Sequence, residues 1–161
     1  MENLVNEPIV LIFGKICSGK STYAQALSYI TKSKRITVSD VVKALSGIQS
    51  RSGLQTTQHL DEAIAAELVR QIKANERVVI DGIRQFSIVQ WILREFGAEN
   101  ILMIWLEVPD DIRKYRFYDR LLAKDDLSFE EADQRDEKLG LTELRSKLDK
   151  EYIQYTVVNN H

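Results

Sequence analysis

The segment Gly14-Lys15-Ile16-Cys17-Ser18-Gly19-Lys20-Ser21 matches the pattern GxxxxGK[ST] at every constrained position, and it restricts the architecture of this chain more than any other stretch. The pattern has a physical cause. Its glycines let successive backbone N–H groups converge on a polyphosphate, its lysine reaches the outer phosphates, and its final hydroxyl can ligate Mg2+. Such a loop works at the turn between a strand and a helix. The apolar run Ile9-Val10-Leu11-Ile12-Phe13 reads as a buried parallel strand and Thr22 to Ile30 as a helix, so the glycines fall at that turn. Gly14 to Ser21 together with Thr22 are therefore the candidate nucleotide-phosphate contacts. The alternative is a Gly/Ser-rich turn that binds nothing.

Apolar strand-like runs recur at Arg35 to Val38, Arg77 to Ile80, Ile101 to Val108 and Tyr155 to Val158. Helical patterns lie between them, at Asp40 to Leu45, Thr57 to Ala74, Ser87 to Phe96 and Pro109 to Ala123, with a charged helical region at Ser128 to Tyr152. Alternating strands and helices predict a three-layer α/β/α fold on a five-stranded parallel sheet. Leu60, Ala63, Ile64, Leu68 and Ile72 keep a helical period, as do Ile88, Trp91, Ile92 and Phe96, which marks core faces. Trp91 and Trp105 are expected to pack in the core and not to serve as a base platform.

At 161 residues the chain fits a single domain spanning 1–161. Its 22 basic and 24 acidic side chains leave a net charge of −2, so no global field draws nucleic acid and any anion site must be local. The single cysteine, Cys17, allows no internal disulfide and fits a reducing, cytoplasmic setting. The polar N-terminus and the lack of a long apolar run argue against secretion and membrane insertion. His59 and His161 have no partners at metal-ligand or triad spacing.

In open parallel sheets, ligands sit at the carboxyl ends of the strands. After the phosphate loop, those positions hold Ser39-Asp40, Asp81-Gly82-Ile83-Arg84, Glu107 to Asp111 and Asn159-Asn160. On the helix from Pro109, Arg113, Arg116 and Arg120 recur at three- and four-residue spacing and can project from one face. That face either concentrates positive charge on a transferring phosphoryl group or is solvated beside Asp110, Asp111 and Asp119.

Five segments in order, the phosphate loop, ITVSDVVKAL, VVIDGIR, LEVPDDIRKYRFYDR and FEEADQRDE, make the chain resemble the P-loop nucleoside monophosphate kinase family, adenylate kinase-like. The shorter Asp81-Gly82-Ile83-Arg84, without the family's aromatic-Pro step, looks more like the dephospho-coenzyme A kinase-like and phage deoxynucleotide kinase branches. The resemblance implies ATP as donor and Mg2+ held by Ser21 and Asp81, unless Asp81 merely caps the following segment. It implies Arg84 on the acceptor's phosphate, with Asp40 and Lys43 beside it, and places an acceptor-binding insert at about 39–76. Arg51 is a candidate acceptor clamp in that insert. Asp40 is a general base if the acceptor is a hydroxyl; otherwise it caps a helix. Arg116, Arg120 and Arg135 correspond to charge-stabilising arginines, the last from a short lid at about 122–137, and with one cysteine that lid cannot be a cysteine-zinc lid. Asn159 is a candidate contact to the donor base. The expected activity is phosphoryl transfer from ATP to a nucleoside monophosphate, a deoxynucleotide among the candidates. The alternatives are a hydroxyl on a small molecule or on nucleic acid, and a regulatory ATPase. The chain is expected to act as a monomer or homodimer.

Overall fold

A computed structural model of the chain describes residues 7–46, 60–120, 128–152 and 155–158. Five parallel strands, β1 (Ile9–Gly14), β2 (Lys34–Thr37), β3 (Val78–Asp81), β4 (Ile101–Glu107) and β5 (Tyr155–Val158), lie in the order β2-β3-β1-β4-β5. The fold class matches the expectation. β1 is central and buried along its whole length, which is why its sequence is continuously apolar.

Side-chain alternation divides the strands between two faces. Ile9, Leu11, Phe13, Ile80, Met103 and Trp105 face a large core closed by α2 (Val38–Ser46), α3 (Asp61–Lys73), α4 (Phe86–Phe96) and α7 (Leu141–Glu151). Val10, Ile12, Val79, Leu102, Ile104 and Leu106 face α1 (Lys20–Thr31), meeting Tyr23, Ala24 and Leu27. Both tryptophans pack as expected: Trp105 is buried and stacked on Phe13 at 6.1 Å between centroids, and Trp91 is half-buried against the same core.

A third, smaller cluster positions the site. Ile16 of the phosphate loop packs on Phe117 from α5 (Asp110–Asp119) and on Phe129 and Ala132 from α6 (Phe129–Lys138). Ser128 begins α6, its Oγ accepting the Glu131 N–H at 3.2 Å.

Among the boundaries that differ from expectation, three bear on the charged segments and the site. The charged C-terminal region is two helices, because Gly140, in the left-handed region at φ 105°, breaks the chain between α6 and α7. α2 begins at Val38, two residues before Asp40. α5 ends at Asp119, and 121–127, which include the start of the expected lid, lie outside the described residues.

Candidate active site

The phosphate loop is shaped by steric necessity at Gly14 and by the left-handed backbone of Gly19. A Cβ at Gly14 would lie 2.5 Å from Ser18 Oγ and 2.9 Å from the Leu106 carbonyl oxygen, distances no side chain tolerates. Gly19, at φ 92°, turns the chain into α1, whose first N–H groups have no capping side chain. Cys17 also adopts a positive φ, 61°, which a non-glycine residue takes up only where its surroundings enforce it. Lys20 Nζ folds over the loop, donating to the carbonyls of Gly14 at 2.7 Å and Lys15 at 3.0 Å. A bound polyphosphate would offer this ammonium a charged partner in place of neutral ones.

The loop forms one wall of a cavity of about 200 Å3. Ile16 to Thr22 line it from the loop and α1, Thr37, Ser39 and Lys43 from β2 and α2, Asp81, Gly82 and Arg84 from the end of β3 and after it, Arg135 from α6, and Arg120 and Leu139 from just past the ends of α5 and α6. Beside it, on the α1 side of the sheet, a more open groove of about 480 Å3 is lined by Cys17, Thr22, Tyr23, Arg116, Arg120 and Val157 among others. The sequence-predicted Lys20, Ser21, Lys43, Asp81, Arg84, Arg120 and Arg135 thus converge on one cavity. Arg116 stands in the adjoining groove, where it donates to the Cys17 carbonyl at 3.2 Å.

Other candidates are placed differently. Asp40 is exposed and does not line the cavity. Ser39, four residues before Lys43 on α2, lines the cavity with it, and Asp40, rotated about 100° from Ser39, does not. The Lys15 side chain is exposed and turns to the other side of the loop. Arg113 is fully buried and does not join a charged stripe: it donates to the Ile16 carbonyl at 3.1 Å and pairs with Asp133 and Asp110, each at 2.8 Å. Arg51 and Asn159 lie outside the described residues.

Two charged residues bonded to the site were not anticipated. Arg35 Nε pairs with Asp81 Oδ2 at 3.2 Å. Arg35 and Thr37 share a strand face, and Thr37 is in register with Asp81, so strand alternation carried the only available signal. Asp136, with 1% of its surface exposed, accepts the Ile16 N–H at 3.0 Å through Oδ2 and the Arg84 guanidinium through Oδ1. Its sole sequence mark was adjacency to Arg135.

The two buried carboxylates are tuned in opposite directions. Burial pushes the Asp81 carboxyl up, and Arg35, Lys20 and Thr37 only partly reverse this. Burial also opposes ionisation of Asp136, but Arg84, Lys20 and Arg135 outweigh it and hold the carboxyl below the usual range. Among the described residues no group of three or more His, Cys, Asp or Glu could chelate a metal. The Ser21 hydroxyl and the Asp81 carboxylate lining one cavity with Lys20 therefore fit a cation whose remaining ligands are phosphate oxygens and water, the habit of Mg2+.

Residues 10–138 match the family described as AAA domain. UPF0200 protein PAE1629 from Pyrobaculum aerophilum is 31% identical, the alignment covering 94% of this chain and 87% of that protein. A shikimate kinase from Acinetobacter baumannii, solved with shikimate, superposes with a TM-score of 0.67 at 17% identity, covering 99% of this chain and 88% of its own. A gluconokinase from Sinorhizobium meliloti 1021 superposes at 0.58 and 16% identity, covering 97% and 83%. The fold is that of the P-loop kinases. No helix among the described residues is long and apolar enough to cross a membrane.

Proposed function

The chain belongs to the AAA domain family and has the fold of a P-loop kinase, and on that footing we propose that it moves the γ-phosphoryl group of ATP to a nucleoside monophosphate. The observation that carries this reading is the charge of the cavity. Lys20, Lys43, Arg84, Arg120 and Arg135 line it, and among its described lining residues Asp81 is the one carboxylate. Such a wall suits two phosphate-bearing molecules brought end to end, whose mutual repulsion it offsets.

Lys20 and the loop amides hold the donor's outer phosphates. Ser21 and Asp81 would hold Mg2+, which supplies charge neutralisation between the donor phosphates when bound. Arg84 and Lys43, on the wall away from α1, bind the acceptor's phosphate, with Ser39 as a neutral hydrogen-bonding neighbour. Arg120 and Arg135 complete the ring around the transferring group. The donor base lies in the adjoining groove beside Arg116 and Tyr23, where a planar guanidinium can stack on it.

A phosphate acceptor attacks through an oxygen that is already ionised, so no general base is required. A hydroxyl acceptor needs one, and Asp40, the candidate for that role, is exposed and outside the cavity. This favours a monophosphate over the hydroxyl alternative. The test is multiple-turnover assay with ATP and Mg2+ against nucleoside and deoxynucleoside monophosphates, alongside hydroxyl acceptors such as shikimate, gluconate and dephospho-coenzyme A. The expected result is diphosphate formation from one or more monophosphates, lost in Lys20→Ala. Phosphorylation of a hydroxyl acceptor alone, or slow hydrolysis indifferent to every acceptor, overturns the proposal.

A further inference from the structure

Asp136 presents a problem that stability does not solve. A carboxylate removed from water is expensive, and a buried ion pair is on the whole no more stabilising than an apolar pair of the same volume. Yet this carboxylate sits with 1% exposure at the junction of three separate parts of the site. Oδ2 holds the backbone N–H of Ile16, in the phosphate loop. Oδ1 holds Nε of Arg84, after β3. Its neighbour Arg135, within 3.9 Å through its own guanidinium, lines the cavity from α6. Asp136 itself does not line that cavity.

The grip on Ile16 is two-sided. Its N–H is taken by Asp136 of α6 and its carbonyl by Arg113 of α5, and its side chain is buried between Phe117 and Phe129 of the same two helices. The loop is thereby fixed in position as well as in conformation. Through Oδ1, the same carboxylate fixes where Arg84 stands relative to the loop. Phosphoryl transfer needs donor and acceptor phosphates in line at a set separation, and an error on the order of 1 Å costs about 100-fold.

We propose that Asp136 is a positioning residue: a single carboxylate that sets the distance between the donor cradle, through Ile16, and the acceptor's phosphate, through Arg84. The proposal rests on the phosphotransferase reading of the cavity. It makes Asp136 act on the acceptor through Arg84, which separates it from a residue that merely supports the fold.

The test combines Asp136→Asn, Arg84→Gln and the double variant, read by acceptor KM, kcat and hydrogen exchange at the Ile16 amide. Asparagine keeps the shape of the side chain and loses its charge. In Asp136→Asn the acceptor kcat/KM should fall about 10- to 100-fold, the range for a lost hydrogen bond between charged groups. The double variant should be no worse toward the acceptor than Arg84→Gln alone. Arg84→Gln should also speed exchange at the Ile16 amide, since Asp136 bonds both; this holds as a test even if Asp136→Asn fails to fold. Additive losses in the double variant, or an Ile16 amide indifferent to Arg84→Gln, overturn the proposal. Absence of wild-type turnover on every monophosphate removes the monophosphate-acceptor reading instead, and the exchange experiment still decides whether Asp136 couples the two walls.

Discussion

Replacing Arg113 by methionine separates two readings of the arginines on α5. As a member of a functional stripe, Arg113 would support turnover and leave stability unchanged. In the structure it is a buried strut, with no exposed surface and with bonds to Ile16, Asp110 and Asp133. Methionine keeps much of the aliphatic volume but loses the guanidinium that lies over the Phe129 ring, 5.2 Å from its centroid, so the loss is mainly polar. Breaking a buried ion pair costs ~3–5 kcal/mol when the stranded charge stays dry. Here the side chains of Asp110 and Asp133 are 79% and 28% exposed, so both can rehydrate, and the cost falls below that range, to about 2 kcal/mol. The Ile16 carbonyl also loses its side-chain donor, and the sum is about 3 kcal/mol. In a chain of this size that corresponds to a melting temperature lower by roughly 6–12 °C. Urea denaturation should show a lower midpoint at unchanged slope, and affinity for a non-hydrolysable ATP analogue should weaken because the loop tip is loosened. An unchanged midpoint accompanied by lost turnover would refute the reasoning and return Arg113 to the functional stripe.

Asp40→Asn should leave kcat within about threefold of wild type, since its carboxylate faces solvent; a loss on the order of 100-fold or more, the contribution of a general base, would restore the hydroxyl-acceptor alternative. The depressed pKa of Asp136 sets the sign of a pH effect. Its ionised form contributes stability that is fully present above the unfolded value of about 3.9 and is lost as pH falls through the lower folded value. The difference in unfolding free energy between wild type and Asp136→Asn should therefore be flat from neutrality down to about pH 4 and shrink below it. A difference that titrates between pH 5 and 7 would contradict the assigned direction.

The phosphate loop and β1 were legible because their chemistry is local: glycine placement and a continuous apolar run are written in consecutive residues. The sheet followed from the strand-helix alternation, and even the short β2 was found to within one residue. What escaped the sequence depended on what lies opposite. Arg113 and Arg120 do share a helix face, but that face runs from the buried contact with Ile16 at one end of α5 to the mouth of the cavity at the other. Periodicity identifies the face and not its surroundings. Asp40 and Ser39 both lie within one helical turn of Lys43, so spacing admits either as its partner, and it is what surrounds α2 that puts Ser39 and not Asp40 on the cavity. Asp136 carried no mark beyond its adjacency to Arg135, because the Ile16 N–H and Arg84, which it bonds, are remote in the chain.

That remoteness bears on how the protein comes to be assembled. The phosphate loop is written in eight consecutive residues, yet Ile16 acquires its two polar partners from positions 97 and 120 residues further along. A loop that reads as the most local element of the chain is, in its finished form, among the most non-local. Closing such long spans is slow and precedes any energetic return. On a ribosome adding about 5–20 residues per second, the segment that grips Ile16 emerges some 6–24 s after the loop itself. Affinity for nucleotide thus waits on residues as far along as Asp136, and nucleotide can stabilise the product of folding without templating its first steps.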